Sequence, residues 1–175
     1  MSVFLQPIQT VTVGSGFPAI INFSNIPSTY TDLLILYSAK TTATASNWDS
    51  MYLIFNTDSS QTYNSATAMF GNGSSASSNR DTNTMGGFAS SNASGGTNTF
   101  GSNSIYIANY AGSNYKSIIT EAAPEINSST ALPSLISGLC RQTAAITTLQ
   151  IGSTSGSGLF SGSIFSLYCI LRQGI

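Results

Sequence analysis

The stretch Asp32-Leu-Leu-Ile-Leu-Tyr37 is apolar on both sides of a strand, the pattern of a strand in the middle of a β-sandwich. Outward from it the same two-residue rhythm recurs. Upstream, Val11 and Val13 alternate with threonines in Gln9–Val13, Gly14-Ser-Gly16 makes a turn, and Ala19–Phe23 forms a second run. Downstream come Met51–Phe55, a weaker run from Tyr63 to Phe70, then Ser104–Ile107, Ser117–Thr120, Leu135–Cys140, Ile146–Ile151 and Ile164–Leu171. These short runs are spaced as in sandwiches and barrels, and no segment carries a 3.6-residue stripe over three turns. The best helical candidate, Ser128–Ser137, is interrupted by Pro133. The expectation is an all-β chain: one β-sandwich of jelly-roll type, with Leu33–Tyr37, Met51–Phe55, Ile105–Ile107 and Ile164–Leu171 as core strands.

Composition bounds the function. Ser, Thr, Asn and Gly account for 81 of the 175 residues, hydrophobic residues for 41% and charged residues for only 6%. There is apolar material for one core, covered by neutral hydroxyls and amides; a disordered chain has the opposite balance. The chain has no histidine, which removes Ser-His and Cys-His relays and imidazole metal sites. Five scattered cations make no basic stripe, so no nucleic-acid partner is expected. No apolar run of about 18 residues is present, so no membrane partner is expected either. Met1–Pro7 lacks the basic and apolar regions of a secretion signal. Cys140 and Cys169 lie inside apolar runs and read as reduced core residues.

One stretch breaks the rhythm. From Gly71 to Ser104 the chain is almost wholly Gly, Ser, Asn, Thr and Ala, and reads as one long excursion that folds against a neighbour through Met85, Phe88 and Phe100. Residues 1–7 read as an N-terminal arm, with Val3, Phe4 and Leu5 able to add to a neighbour's surface, and residues 8–175 as the sandwich domain.

Candidate chemistry is thin. Glu121 and Glu125 are separated by Pro124 and share no strand register, which does not suit a glycosidase pair; they read as solvated carboxylates or partners for Arg141 and Lys116. Asp58-Ser-Ser60 and Asp81-Thr-Asn83 offer too few oxygens for calcium. Gly71-Asn-Gly73 lacks the lysine and the helix of a phosphate loop. No catalytic residue, metal or cofactor is expected, and the chain does not read as an enzyme. Trp48, and after it Tyr30, Tyr106, Tyr110 and Tyr115, are the side chains able to stack on a sugar if exposed.

Longer motifs carry a resemblance. Asn25-Ile-Pro-Ser-Thr-Tyr-Thr-Asp-Leu-Leu-Ile-Leu36 resembles the Ile-Pro-x-Thr-Tyr-x-x-Leu entry into a central strand in small virion structural proteins of tailed bacteriophages, cyanophages included. Gln9–Gly16 with Ile20–Phe23 is similar to that family's opening hairpin, and Phe70–Ser75 to its glycine-rich loop. Asn103–Tyr110 resembles a further shared strand. Ile136–Ile146 follows a pattern that usually has Trp where Cys140 stands, and Ser163–Ile170 ends like the usual Leu-Tyr-Gly-Ile, with Cys169 for Gly. The resemblance implies a non-enzymatic virion component made in the host cytoplasm. It further implies a homotrimer whose other partner is the major capsid protein or another virion protein. The leading expectation is a capsid decoration or cement protein that stabilises the shell. The alternative is a tail-fibre or receptor-binding module that recognises a host surface glycan. Val3, Phe4, Leu5, Trp48, Met85, Phe88 and Phe100 are the expected partner-binding residues.

Overall fold

In Lys116–Ala123 every second residue is buried, from Lys116 through Ile118 and Thr120 to Ala122, and the residues between are exposed. That is a strand with one face in a core and one face out. The computed structural model describes residues 3–60, 64–71, 75–82, 85–124 and 131–172, and only the backbone of Val3 and of residues 86–91. Twelve strands run through them: β1 (Val3–Thr12), β2 (Ile20–Phe23), β3 (Asp32–Thr41), β4 (Trp48–Phe55), β5 (Asn64–Gly71), β6 (Ala76–Thr82), β7 (Gly86–Asn92), β8 (Gly101–Ile107), β9 (Lys116–Ala123), β10 (Ser134–Cys140), β11 (Leu149–Ser153) and β12 (Ile164–Arg172).

Eight of them form one antiparallel sheet in the order β1-β12-β3-β8-β9-β10-β5-β6. A smaller antiparallel sheet, β2-β11-β4, takes β7 along β4. At its far end β3 also meets β7 in parallel, Lys40 beside Ser91 and Thr41 beside Asn92, which links the two sheets. One hydrophobic cluster fills the space between them. The large sheet contributes Leu33, Ile35, Ile105 and Phe165; the small sheet contributes Phe23, Leu53, Phe55 and Ile151. Tyr37 and Phe165, opposite each other on β3 and β12, stack at 5.2 Å. Burial of such side chains contributes about 1.5–3 kcal/mol each. The all-β sandwich expected from the sequence is what the chain forms.

Three expectations need correction. The excursion of residues 71–104 is largely ordered backbone: it holds β6, β7, the short 3-10 turn Ala93–Gly95 and the start of β8. Asn92 caps that turn, its side chain accepting from Ser94 N at 3.0 Å. The boundary between arm and domain falls inside β1. Residues from Val3 to Pro7 are already paired with β12, and the bulge between Pro7 and Gln9 continues the ladder rather than ending it. The opening hairpin does not form, because β1 pairs with β12 in the large sheet and β2 with β11 in the small one. Between them Gly16 and Phe17 take positive φ, which turns the chain from one sheet to the other.

Candidate functional site

Among the described residues, the inner face of the large sheet is covered and the outer face is not. Across the outer face the ladder aligns Thr10, Ser166, Leu36, Ser104, Glu121, Leu135, Met69 and Ser78, one residue from each strand. The next row on the same face includes Leu34, Tyr106, Ile119, Ser137, Thr67 and Arg80. Leu36, Met69, Ile119, Leu135 and Ile164 all project from this face and are 39–54% exposed. Scattered apolar residues on a surface are ordinary, but five on one sheet face make a patch of the kind that marks a binding surface. From Leu36 to Ser78 the row floors a groove of about 1020 Å³, apolar at Leu36, Leu135 and Met69 and edged by serines. With strands about 4.8 Å apart its length is about 24 Å.

Charge is scarce in this chain, and four of its eleven charged residues, Asp32, Lys40, Asp49 and Lys116, are buried. Asp32 is fully buried; it accepts from Tyr106 Oη at 2.8 Å and Asn109 N at 2.8 Å, and pairs with Arg172 Nε at 2.7 Å. Asp49 accepts from Ser153 Oγ at 2.6 Å and Ser155 Oγ at 2.9 Å. Lys40 donates to the carbonyls of Gly96 and Thr97 and lies 5.2 Å from the centre of the Phe160 ring. Lys116 donates to the carbonyls of Gly112, Gln142 and Ala144 at 2.9, 3.0 and 2.7 Å. Burial holds both ammonium groups below the usual lysine range. Of the two readings of the glutamates, Glu121 is exposed, while the Lys116 ammonium is held by three main-chain carbonyls; Glu125 lies outside the described residues. On the outer face, Glu121 has a long contact with Ser104 Oγ at 3.5 Å, and Arg80 donates to Thr67 Oγ at 3.0 Å.

The expected partner-binding residues do not share one surface. Phe4 and Leu5 are exposed on β1, at the edge of the large sheet. Val3 pairs opposite Arg172, and its side chain lies outside the described residues. Trp48 is 37% exposed at the start of β4, on the small sheet. Met85 is no surface residue. It is completely buried, its thioether lying over Gly138 of β10, because that glycine leaves the room a Cβ would fill. Phe88 sits opposite Met51 on β7 with its side chain outside the described residues, and Phe100 is half-buried near Gly162.

Among the tyrosines, Tyr106 is half-buried on the outer face with its hydroxyl tied to Asp32, and Tyr110 is buried with its hydroxyl on the Pro27 carbonyl, so Tyr110 offers no free ring. Tyr30 packs against the core and Tyr115 is exposed. Asp58 accepts from Ser60 and Gln142. Glu125, Asn72, Gly73 and Asn83 lie outside the described residues. Cys140 and Cys169 are free and buried, and burial raises both thiols. The outward residues Leu36, Met69, Ile119 and Leu135 were missed as site candidates, although the double-faced apolar pattern of Asp32–Tyr37 was the available signal: half of it faces outward.

No family model, curated protein or solved structure matches the chain.

Proposed function

We propose that the chain is a phage virion structural protein, a decoration or cement protein that docks on the capsid shell and braces it. One observation carries this reading: the outer face of the eight-stranded sheet is broad and uncovered, and sets five exposed apolar side chains among neutral hydroxyls. Such a face loses little on desolvation, because Ser and Thr cost far less to dehydrate than Lys and Glu. The cores of protein interfaces are depleted in charge in the same way. Lys40, Lys116, Asp32 and Asp49 are held inside the fold, which leaves Glu121, Arg80 and the half-exposed Arg172, among the described residues, as the charges of the large sheet's outer side. The likeness of Asn25–Leu36 and Ser163–Ile170 to phage virion proteins supplies the setting, with the capsid protein as partner and three copies per assembly.

A cement protein binds the assembled shell and not its parts, so it stabilises the shell by linkage. Particles that carry the protein should release packaged DNA at a higher temperature than particles lacking it. The difference should persist between low and moderate salt, because apolar contacts are not screened. Equal release temperatures would refute the cement role.

The second reading is a tail module that binds a host glycan. It is favoured by Trp48, exposed at the start of β4, where Asn92 donates to the main-chain carbonyls of both Ser46 and Trp48. Quenching of Trp48 fluorescence by host surface polysaccharide would promote it.

A further inference from the structure

Three strands end the two sheets: β1 and β6 in the large sheet and β2 in the small one. A free strand edge offers unpaired N–H and C=O groups to any other chain, and proteins guard such edges with prolines, bulges or short strands. β1 has Pro7 and a bulge beside it, and β2 is only four residues long. β6 has no proline, bulge or shortness, and of the charged side chains that also guard edges it carries only the neighbouring opposite pair Arg80 and Asp81. Its seven residues, Ala76-Ser-Ser-Asn-Arg-Asp-Thr82, contain no Pro, Gly or Lys and pair with β5 without any shift of register. Its side chains are exposed apart from Asp81, which is partly covered. Among the described residues β6 has β5 as its one strand neighbour, and its other edge is free.

We propose that β6 pairs antiparallel with β6 of a second copy across a twofold axis, joining two eight-stranded sheets edge to edge. The occupant is a second copy because the strand is self-complementary in one register. A twofold axis normal to the sheet keeps each side chain on its own face, so residues directly opposite must have numbers of the same parity. With Asn79 on the axis all seven residues pair: Asn79 with Asn79, Ser78 with Arg80, Ser77 with Asp81, and Ala76 with Thr82. No like charges meet. Moving the axis to Arg80 sets Arg80 against Arg80, and moving it to Asp81 sets Asp81 against Asp81, both unfavourable. Moving it to Ser78 leaves two residues of the strand unpaired.

The groove of the outer face reaches β6 at Ala76, Ser77 and Ser78, so in the pair the two grooves meet at the axis. The contact demands nothing of the capsid, and its failure would leave the cement role standing.

The test uses the full chain. Asn79 is exposed and its amide donates to Asp81 Oδ1 at 3.3 Å, a contact that N79K and N79D alter, so circular dichroism verifies that both keep the fold. Light scattering of the wild type at micromolar concentration should give twice the mass of the assembly without this contact: two chains of 18.2 kDa, or two trimers where three copies already associate. N79K alone opposes two lysines on the axis and weakens association by up to about fivefold, lowering the mean mass at concentrations near the midpoint of association; N79D does the same with two carboxylates. An equimolar mixture of N79K and N79D sets Lys against Asp on the axis and restores the wild-type mass. Hydrogen exchange of the wild type is a second readout, in which the amides of β6 gain protection as protein concentration rises. A monomeric wild type, a mass unaltered by N79K, a mixture that does not recover, or exchange at β6 independent of concentration would each overturn the proposal.

Discussion

Substituting Gly138 by alanine probes how the segment after β6 returns to the core. A Cβ at this position would stand 2.4 Å from Met85 Sδ, 3.1 Å from Met85 Cε and 3.3 Å from Ile118 Cβ. Met85 is fully buried, so its thioether has no solvent to swing into. Overpacking of this kind costs about 1–3 kcal/mol, and the flexibility of Met puts G138A toward the lower half of that range. M85A alone removes a filled volume and costs about 2–5 kcal/mol. The double variant puts the new methyl into the space the thioether leaves. It should therefore be destabilised by less than the sum of the single losses, by at least about 1 kcal/mol, well beyond the 0.3–0.5 kcal/mol scatter of independent sites. Urea unfolding followed by circular dichroism measures all three at constant m-value. Additive losses, or a neutral G138A, would refute the packing of Met85 under β10, and with it the return of the chain from β6 to the core.

Further outcomes follow from the same contacts. Replacing Lys116 by methionine should lower stability by about 2–4 kcal/mol in urea, because three carbonyls lose an ionised donor while the ammonium's desolvation cost is recovered. With no histidine, no side chain of ordinary pKa titrates between about pH 5 and 8, so stability should be nearly flat there. At higher pH, Cys140, Cys169, Tyr37 and Tyr110 have pKa values raised by burial. Their contribution is complete below the ordinary values of 9.0 for cysteine and 10.0 for tyrosine and is lost as pH climbs above them. Lys40 and Lys116 are lowered, so their contribution has the opposite sign and rises with pH up to the ordinary 10.5. Thermal unfolding against pH should therefore show its steepest loss above about 10.5, where the lysines no longer offset the tyrosines; a loss centred near neutrality would contradict the account. Ile119→Lys and Leu135→Glu, both on the open face, should shift stability by no more than about 0.5 kcal/mol and yet weaken attachment to particles, read as the bound fraction after sedimentation.

What the sequence made legible was whatever had a buried side. Asp32–Tyr37, Met51–Phe55 and Ile164–Leu171 carry apolar alternation because they line the core, and they stand where that alternation placed them. β6 carried no such signal. Flanked only by β5 and exposed along most of its length, Ala76–Thr82 buries almost nothing, so its strand form rests on a ladder that composition cannot display. β7 was hidden for a related reason, since Gly86–Asn92 is mostly small residues held between β4 and the end of β3. The candidate face was harder to see. Leu36 reads in sequence as one more core residue beside Ile35, and only the pairing of β3 with β12 and β8 places it outside. The buried lysines were equally concealed, because the carbonyls that hold Lys116 come from residues 112, 142 and 144, brought together by tertiary folding alone.

The most direct test of the docking role is cryo-electron microscopy of the intact particle. It should place the domain at three-fold or quasi-three-fold axes of the shell, with Leu36, Ile119 and Leu135 of the large sheet's outer face turned against protein. Density for the domain only in the tail, or a docked domain whose outer sheet face is left in solvent, would contradict the account.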